Sequence, residues 1–185
     1  EDRVRIRIAL WAPDAPKGTV LLFPGRTEYI EKYGVCAQEL ATRGYATLAV
    51  DWRGQGLADR LLQDACIGHV ARFTDYQQDV AAVLAAVQKL GVVTPLYLLG
   101  HSMGGCIGLR ALTDGAPVAA AAFSGPMWGI RIAAPLRPIA WGVGNLMSQL
   151  GRAEDLLPGR SMDSYVLSAP FANNTLTTDR DNWDM

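Results

Sequence analysis

Histidine is the scarcest chemistry-bearing residue in this sequence: His69 and His101 are the only two in 185 residues. With no Cys, Asp or Glu cluster at metal-ligand spacing beside them, neither a metal site nor a cofactor is expected. Cysteine is nearly as sparse. Cys36, Cys66 and Cys106 are odd in number and far apart, which fits reduced thiols in a cytoplasmic setting better than a disulfide framework. Basic charge is not in excess, with 17 Lys and Arg against 18 Asp and Glu for a net charge of −1. With no basic run to neutralise phosphates, a nucleic-acid partner is excluded. No uninterrupted apolar run approaches the ~20 residues of a membrane span; the most apolar stretch of the second half is broken by Pro135, Arg137 and Pro138. The chain begins at Glu1 with neither a methionine nor an apolar leader, so it reads as a portion of a longer polypeptide, with a removed signal peptide left open.

What is present is a hydrophobic content of 50%, enough for one sizeable core that hides roughly 70% of the unfolded surface. Val4 to Trp11 alternates apolar residues with Arg3, Arg5 and Arg7, the period of an antiparallel edge strand with one wet face. Thr19 to Phe23 and Ala46 to Val50 are continuous apolar runs, as expected of strands buried on both faces. Between them a helix is predicted from about Tyr33 to Arg43, closed by Gly44. Thr74 and Gln77 have the spacing of a capping box, opening a helix with Val80, Val83, Leu84, Val87 and Leu90 on one stripe. The alanine-rich run from Val118 to Phe123 predicts a further buried strand. Strands alternating with helices point to an α/β fold with a mostly parallel sheet and helices on both faces. That rhythm ends at Pro126. The boundaries are therefore a core portion at 1–126 and a second, incomplete region at 127–185, with Leu136, Ile139, Ala140, Val143, Met147 and Leu150 at helical spacing.

The chemistry concentrates in Leu96-Tyr97-Leu98-Leu99-Gly100-His101-Ser102-Met103-Gly104-Gly105. An apolar run ends at Gly100 and helical spacing resumes at Met103, placing Ser102 on a strand-to-helix turn: a G-x-S-x-G nucleophile elbow. Glycine is needed on either side because a reversal this sharp leaves no room for a Cβ. The following helix aims its N-terminus at the serine, where free N–H groups and the dipole favour an anion. A dinucleotide loop would need glycine where Ser102 stands, and a P-loop would need Gly-Lys-Ser/Thr where Gly105-Cys106-Ile107 stands.

With that elbow, the loop Pro24-Gly25-Arg26-Thr27-Glu28 and the loop Asp51-Trp52-Arg53-Gly54-Gln55-Gly56 in this order, the chain resembles an α/β-hydrolase. The stretches Arg26 to Gly34 and Asp51 to Asp59 narrow the resemblance to the lysophospholipase and monoglyceride lipase branch, across residues 4 to 126. The resemblance implies a lipid or ester substrate, such as a monoacyl lipid, hydrolysed through an acyl-enzyme on Ser102. It implies an oxyanion hole from the backbone N–H groups of Met103 and Arg26. The amphipathic helix in 127–185 reads either as the start of a cap or lid over the serine, able to touch a membrane surface transiently, or as a helix packed on the core. The family usually carries His-Gly where this chain has Pro24-Gly25. Asp51, Arg53 and Glu28 are marked by the resemblance alone as loop-fixing groups.

A serine nucleophile needs a histidine base, oriented by a carboxylate, and in this fold both follow the serine. No histidine follows Ser102. His101 should point away from the serine off the sharp turn, and His69 matches a loop histidine of structural role. Asp155, Asp163, Asp179 and Asp181 follow the serine, but none ends an apparent strand. The expectation is that the acid and the base lie on further C-terminal strands of the same protein, that the sheet has an apolar edge where those strands would pair, and that this chain by itself has almost no activity. A short-chain esterase or thioesterase shares every one of these residues. A non-catalytic member of the fold is favoured by the missing base and by Pro24.

Overall fold

The structure is a computed structural model, which describes residues 2–65, 67–129 and 133–155 together with 172 and 180. It falls into two compact units, 1–131 and 132–185. Cys66, Asp163, Asp179 and Asp181 lie outside the described residues.

The first unit is built on a five-stranded sheet of β1 (Arg7–Trp11), β2 (Thr19–Phe23), β3 (Ala46–Asp51), β4 (Leu96–His101) and β5 (Ala120–Ser124). The spatial order is β1-β3-β2-β4-β5. β1 runs antiparallel to β3 with Arg7 opposite Asp51, and every other pairing is parallel. Helices α1 (Gly34–Thr42), α2 (Tyr76–Leu90) and α3 (Met103–Thr113) supply the crossovers. The sheet thus has the mostly parallel, helix-flanked form that the sequence predicts.

β2 and β3 are buried at every position, and successive side chains leave a strand on opposite faces. Leu21, Phe23, Leu48 and Val50 accordingly join the main core with Val80, Val83, Leu98 and Ile107, while Leu22 and Ala49 pack with Ile30 in a second cluster. α2 contributes Tyr76, Asp79, Val80, Val83 and Val87 as its buried stripe and ends at Gly91, whose φ of 60° closes the helix in the left-handed conformation.

Three local expectations are corrected. The start of α2 is not a Thr74–Gln77 capping box: a 3-10 turn at Phe73–Asp75 precedes it, and the Arg72 N–H donates to Asp75 Oδ2 at 3.1 Å. Gln77 instead donates through Nε2 to the Ile107 carbonyl at 3.2 Å, tying α2 to α3. β1 begins at Arg7 rather than Val4, and it is covered on both faces rather than one, Ile6 and Ile8 packing on one core cluster and Ala9 and Trp11 on the other, while Leu10 is exposed. β5 forms as a strand but is exposed along most of its length, since β4 is its one partner strand among the described residues.

In the second unit, α4 (Arg137–Gln149) follows a 3-10 turn at Ala134–Leu136. Ile139, Trp141, Val143 and Leu146 on α4 are exposed. No helix among the described residues is long and apolar enough to cross a membrane.

Candidate active site

β4 delivers its chain to the carboxyl end of the sheet, where Ser102 takes φ 48° and ψ −116° immediately before α3. A positive φ at a residue with a Cβ is strained and persists only where the surroundings impose it. Here they do so through hydrogen bonds on both sides: the Ser102 N–H donates to the Ser124 carbonyl at 3.0 Å, and the Ser102 carbonyl accepts from Gly105 and Met127 at 3.0 and 2.9 Å. The flanking glycines are steric requirements. A Cβ on Gly104 would lie 2.0 Å from the Phe23 carbonyl oxygen, and one on Gly100 would lie 2.9 Å from the Gly105 Cα. The motif therefore places the serine on a strand-to-helix turn, in the arrangement expected from the spacing.

The loop after β2 passes directly beside it. A Cβ on Gly25 would stand 3.1 Å from the Ser102 Cβ and 2.8 Å from Glu28 Oε2, so residue 25 has room for hydrogen alone. Three polar groups around Arg26 in this loop are held by buried side chains. The Pro24 carbonyl accepts from Trp52 Nε1 at 3.0 Å, the Gly25 N–H donates to Glu28 Oε2 at 2.5 Å, and the Thr27 N–H donates to Gln55 Oε1 at 2.5 Å. Trp52 is locked in turn by edge-on contacts with Phe23 and Tyr76, centroids 4.9 and 6.0 Å away. The Arg26 guanidinium donates to the Gly68 carbonyl at 2.7 Å. Among the described residues, the backbone N–H groups of Arg26 and Met103 make no hydrogen bond.

Glu28, Asp51 and Arg53 each fix loops. Glu28 also accepts from Lys32 Nζ and the Tyr33 hydroxyl, at 2.6 and 2.5 Å. Burial works against its charge, but these donors and the Gly25 N–H outweigh it and hold the carboxyl below its ordinary range. Burial and the adjacent Glu28 carboxylate push the Tyr33 phenol up. Asp51 is fully buried; it accepts from Arg7 Nε at 2.6 Å, the Ile30 N–H at 2.9 Å and the Leu57 N–H at 2.8 Å. A Cβ on Gly56 would sit 2.2 Å from that carboxylate. Arg53 is buried against Asp79, with Nε and Nη2 2.9 and 2.8 Å from Oδ1.

Among the described residues, no hydrogen bond joins either histidine to the Ser102 hydroxyl. His101 Nδ1 lies 3.4 Å from Ser124 Oγ and Nε2 lies 3.8 Å from Glu28 Oε1. The His69 carbonyl packs against Gly54, where a Cβ would approach it to 2.7 Å. Asp155 pairs with Arg152 at 2.5 Å on the surface of the second unit. A cavity of about 490 Å³ opens beside the loop after β2, lined by Thr27, Tyr29, Gln55, Leu57 and Arg60 among others, and Ser102 is not part of its wall. No group of three or more metal-ligating side chains occurs among the described residues. Gln55 and Trp52, which hold the loop beside Ser102, stand in a motif visible in the sequence, but their targets, 28 positions away, carry no local signal.

Comparison with known proteins agrees with this fold. The profile of the family described as "Serine aminopeptidase, S33" matches residues 14–181. Lysophospholipase L2 of Escherichia coli K12 is 33% identical over 189 residues, covering 98% of this chain and 53% of that protein. The monoacylglycerol lipase of Mycolicibacterium smegmatis is 30% identical over 105 residues, covering 56% of this chain and 36% of that protein. Among solved structures, a soluble variant of the Saccharomyces cerevisiae monoglyceride lipase, in complex with a substrate analog, superposes with a TM-score of 0.56 at 25% identity, over 82% of this chain and 51% of that one. The chain spans about half the length of the first curated relatives it matches. On the breadth of the family match and the fold around Ser102, the chain belongs to the serine aminopeptidase S33 family of α/β-hydrolases, in its lysophospholipase and monoglyceride lipase branch.

Proposed function

We propose that this chain carries the nucleophile and the oxyanion hole of a serine hydrolase that cleaves carboxylic esters of monoacyl lipids. The observation that carries the reading is Ser102 at φ 48° on the strand-to-helix turn, with the Gly25 backbone against it. In this reaction the Ser102 oxygen attacks the ester carbonyl carbon and its proton passes to a base. The carbonyl oxygen becomes an oxyanion that accepts hydrogen bonds from the Arg26 and Met103 N–H groups. Collapse expels the protonated alcohol and leaves an acyl-enzyme, which water then hydrolyses to a fatty acid. Each donor of such a hole is worth ~10²–10³ in rate, because it meets charge that develops only in the transition state.

The acid and base of the triad are assigned to sequence outside these 185 residues, since both His69 and His101 precede Ser102 and in this fold the base follows the nucleophile. Residues 127–185 are read as the beginning of a cap, with the apolar residues of α4 offered to an acyl chain or, transiently, to a lipid surface. An acyl chain gains about 0.8 kcal/mol for each methylene it buries. The lysophospholipase and monoacylglycerol lipase relatives support monoacyl lipids as the substrate class. A p-nitrophenyl ester series from C2 to C16, hydrolysed by the full-length polypeptide, tests it: kcat/KM rises with acyl length. A fall beyond a few carbons points to a short-chain esterase.

A further inference from the structure

Arg26 sits between two peptide groups that one side chain holds together. Gln55 Oε1 accepts the Thr27 N–H at 2.5 Å, while Gln55 Nε2 donates a longer, weaker contact to the Gly25 carbonyl at 3.5 Å. The two ends of the carboxamide thus grip the chain before and after Arg26. Rotating the amide by 180° would face NH₂ against N–H and oxygen against oxygen, so this orientation is the complementary one. Gln55 is itself 3% exposed, on the loop after β3, which Asp51 and the Arg53–Asp79 pair anchor below it.

Among the described residues, Thr27 is one of four non-glycine residues with positive φ, at 61°. A β-branched residue in the left-handed region is strained, and the Gln55 hydrogen bond is the contact its N–H makes. Releasing that bond frees Thr27 to relax toward negative φ, which would swing the peptide on its N-terminal side. The Arg26 N–H lies in the preceding peptide unit, whose Gly25 carbonyl Gln55 Nε2 also holds, so loss of both contacts frees that unit too; this N–H is the one left unpaired between two occupied neighbours, Gly25 on Glu28 and Thr27 on Gln55.

We infer that Gln55 is a positioning residue for the oxyanion hole: by gripping Gly25 and Thr27 it fixes the direction of the Arg26 N–H. This rests on the reading of Ser102 as the nucleophile. Gln55 touches no reacting atom, and its effect is confined to the transition state, because the ground-state ester places no charge at that donor.

The test compares Gln55→Met, which keeps the side-chain length and removes both hydrogen bonds, with Gln55→Glu, which keeps the acceptor for Thr27, in the full-length polypeptide. The expected result is a kcat lowered about 100-fold in Q55M with KM within about threefold of wild type, and a kcat within about tenfold of wild type in Q55E. Wild-type kcat in Q55M, or a Q55M loss carried by KM, overturns the proposal. If Q55M fails to fold, Gln55→Ala decides by the same two readouts: a kcat loss with KM near wild type supports the clamp, and wild-type kcat overturns it. A wild-type enzyme whose Ser102 cannot be acylated overturns the nucleophile reading itself, and the clamp with it, whereas an active wild type with an unaffected Q55M overturns the clamp alone.

Discussion

Gly25 and Ser102 approach so closely that a Cβ on the first would stand 3.1 Å from the Cβ of the second. Two segments 77 positions apart in sequence thereby meet at one point above the sheet. β2 and β4 are paired neighbours, with Phe23 opposite Gly100, so their following loops are delivered side by side. Gly25→Ala is expected to push the loop away from Ser102 and from Glu28. Activity should fall about 100-fold through kcat, with a fall in melting temperature of a few degrees, as steady-state kinetics and a thermal scan will show.

Ser102 bears backbone strain that its side chain does not repay in stability. Ser102→Gly removes the Cβ that makes φ 48° costly and should stabilise the fold by about 1 kcal/mol while abolishing hydrolysis. Urea denaturation of wild type and variant measures the gain; a loss of stability would show that the turn is not strained.

Arg53 and Asp79 are both almost fully buried and meet in a two-nitrogen contact. Asp79→Asn leaves the buried guanidinium with the half-exposed Asp2 carboxylate alone and should cost about 3 kcal/mol, against far less for an exposed pair such as Arg43–Glu39. Denaturant midpoints of Asp79→Asn and Glu39→Gln compare the two directly.

Glu28 has its carboxyl held below the ordinary value of about 4.3. Its charged form is the one favoured by folding, so its contribution is present above that ordinary value and is lost as pH falls through the lower folded one. Glu28→Gln should therefore lower stability at pH 7 and flatten the decline between pH 5 and pH 2. Melting temperatures across that range check it, and an unchanged slope would contradict it.

The parts of this molecule that could be read from sequence are those governed by neighbours along the chain. Apolar runs at 19–23 and 46–50 make buried strands because both of their faces must be covered, and Gly100-x-Ser102-x-Gly104 makes a sharp turn because nothing larger fits. The exposure of β5 was not legible, since alanines report a small side chain and not the strand that would lie beside them. Thr74 and Gln77 had the spacing of a cap, but Asp75 reaches the Arg72 N–H first and Ile107 claims Gln77. Gln55 looked like one residue of a glycine-rich loop, and its hold on Gly25 and Thr27 emerges only when β3 is laid against β2. Among the candidate site residues, Ser102 and the loop that carries Arg26 were brought together by the family resemblance; the grip of Gln55 on that loop was not legible.

The most direct test of the central claim is covalent labelling of the full-length polypeptide with a fluorophosphonate, followed by mass spectrometry of its peptides. A single adduct on Ser102, absent in Ser102→Ala, is the predicted result; no adduct, or one on another residue with Ser102 unmodified, would contradict the account.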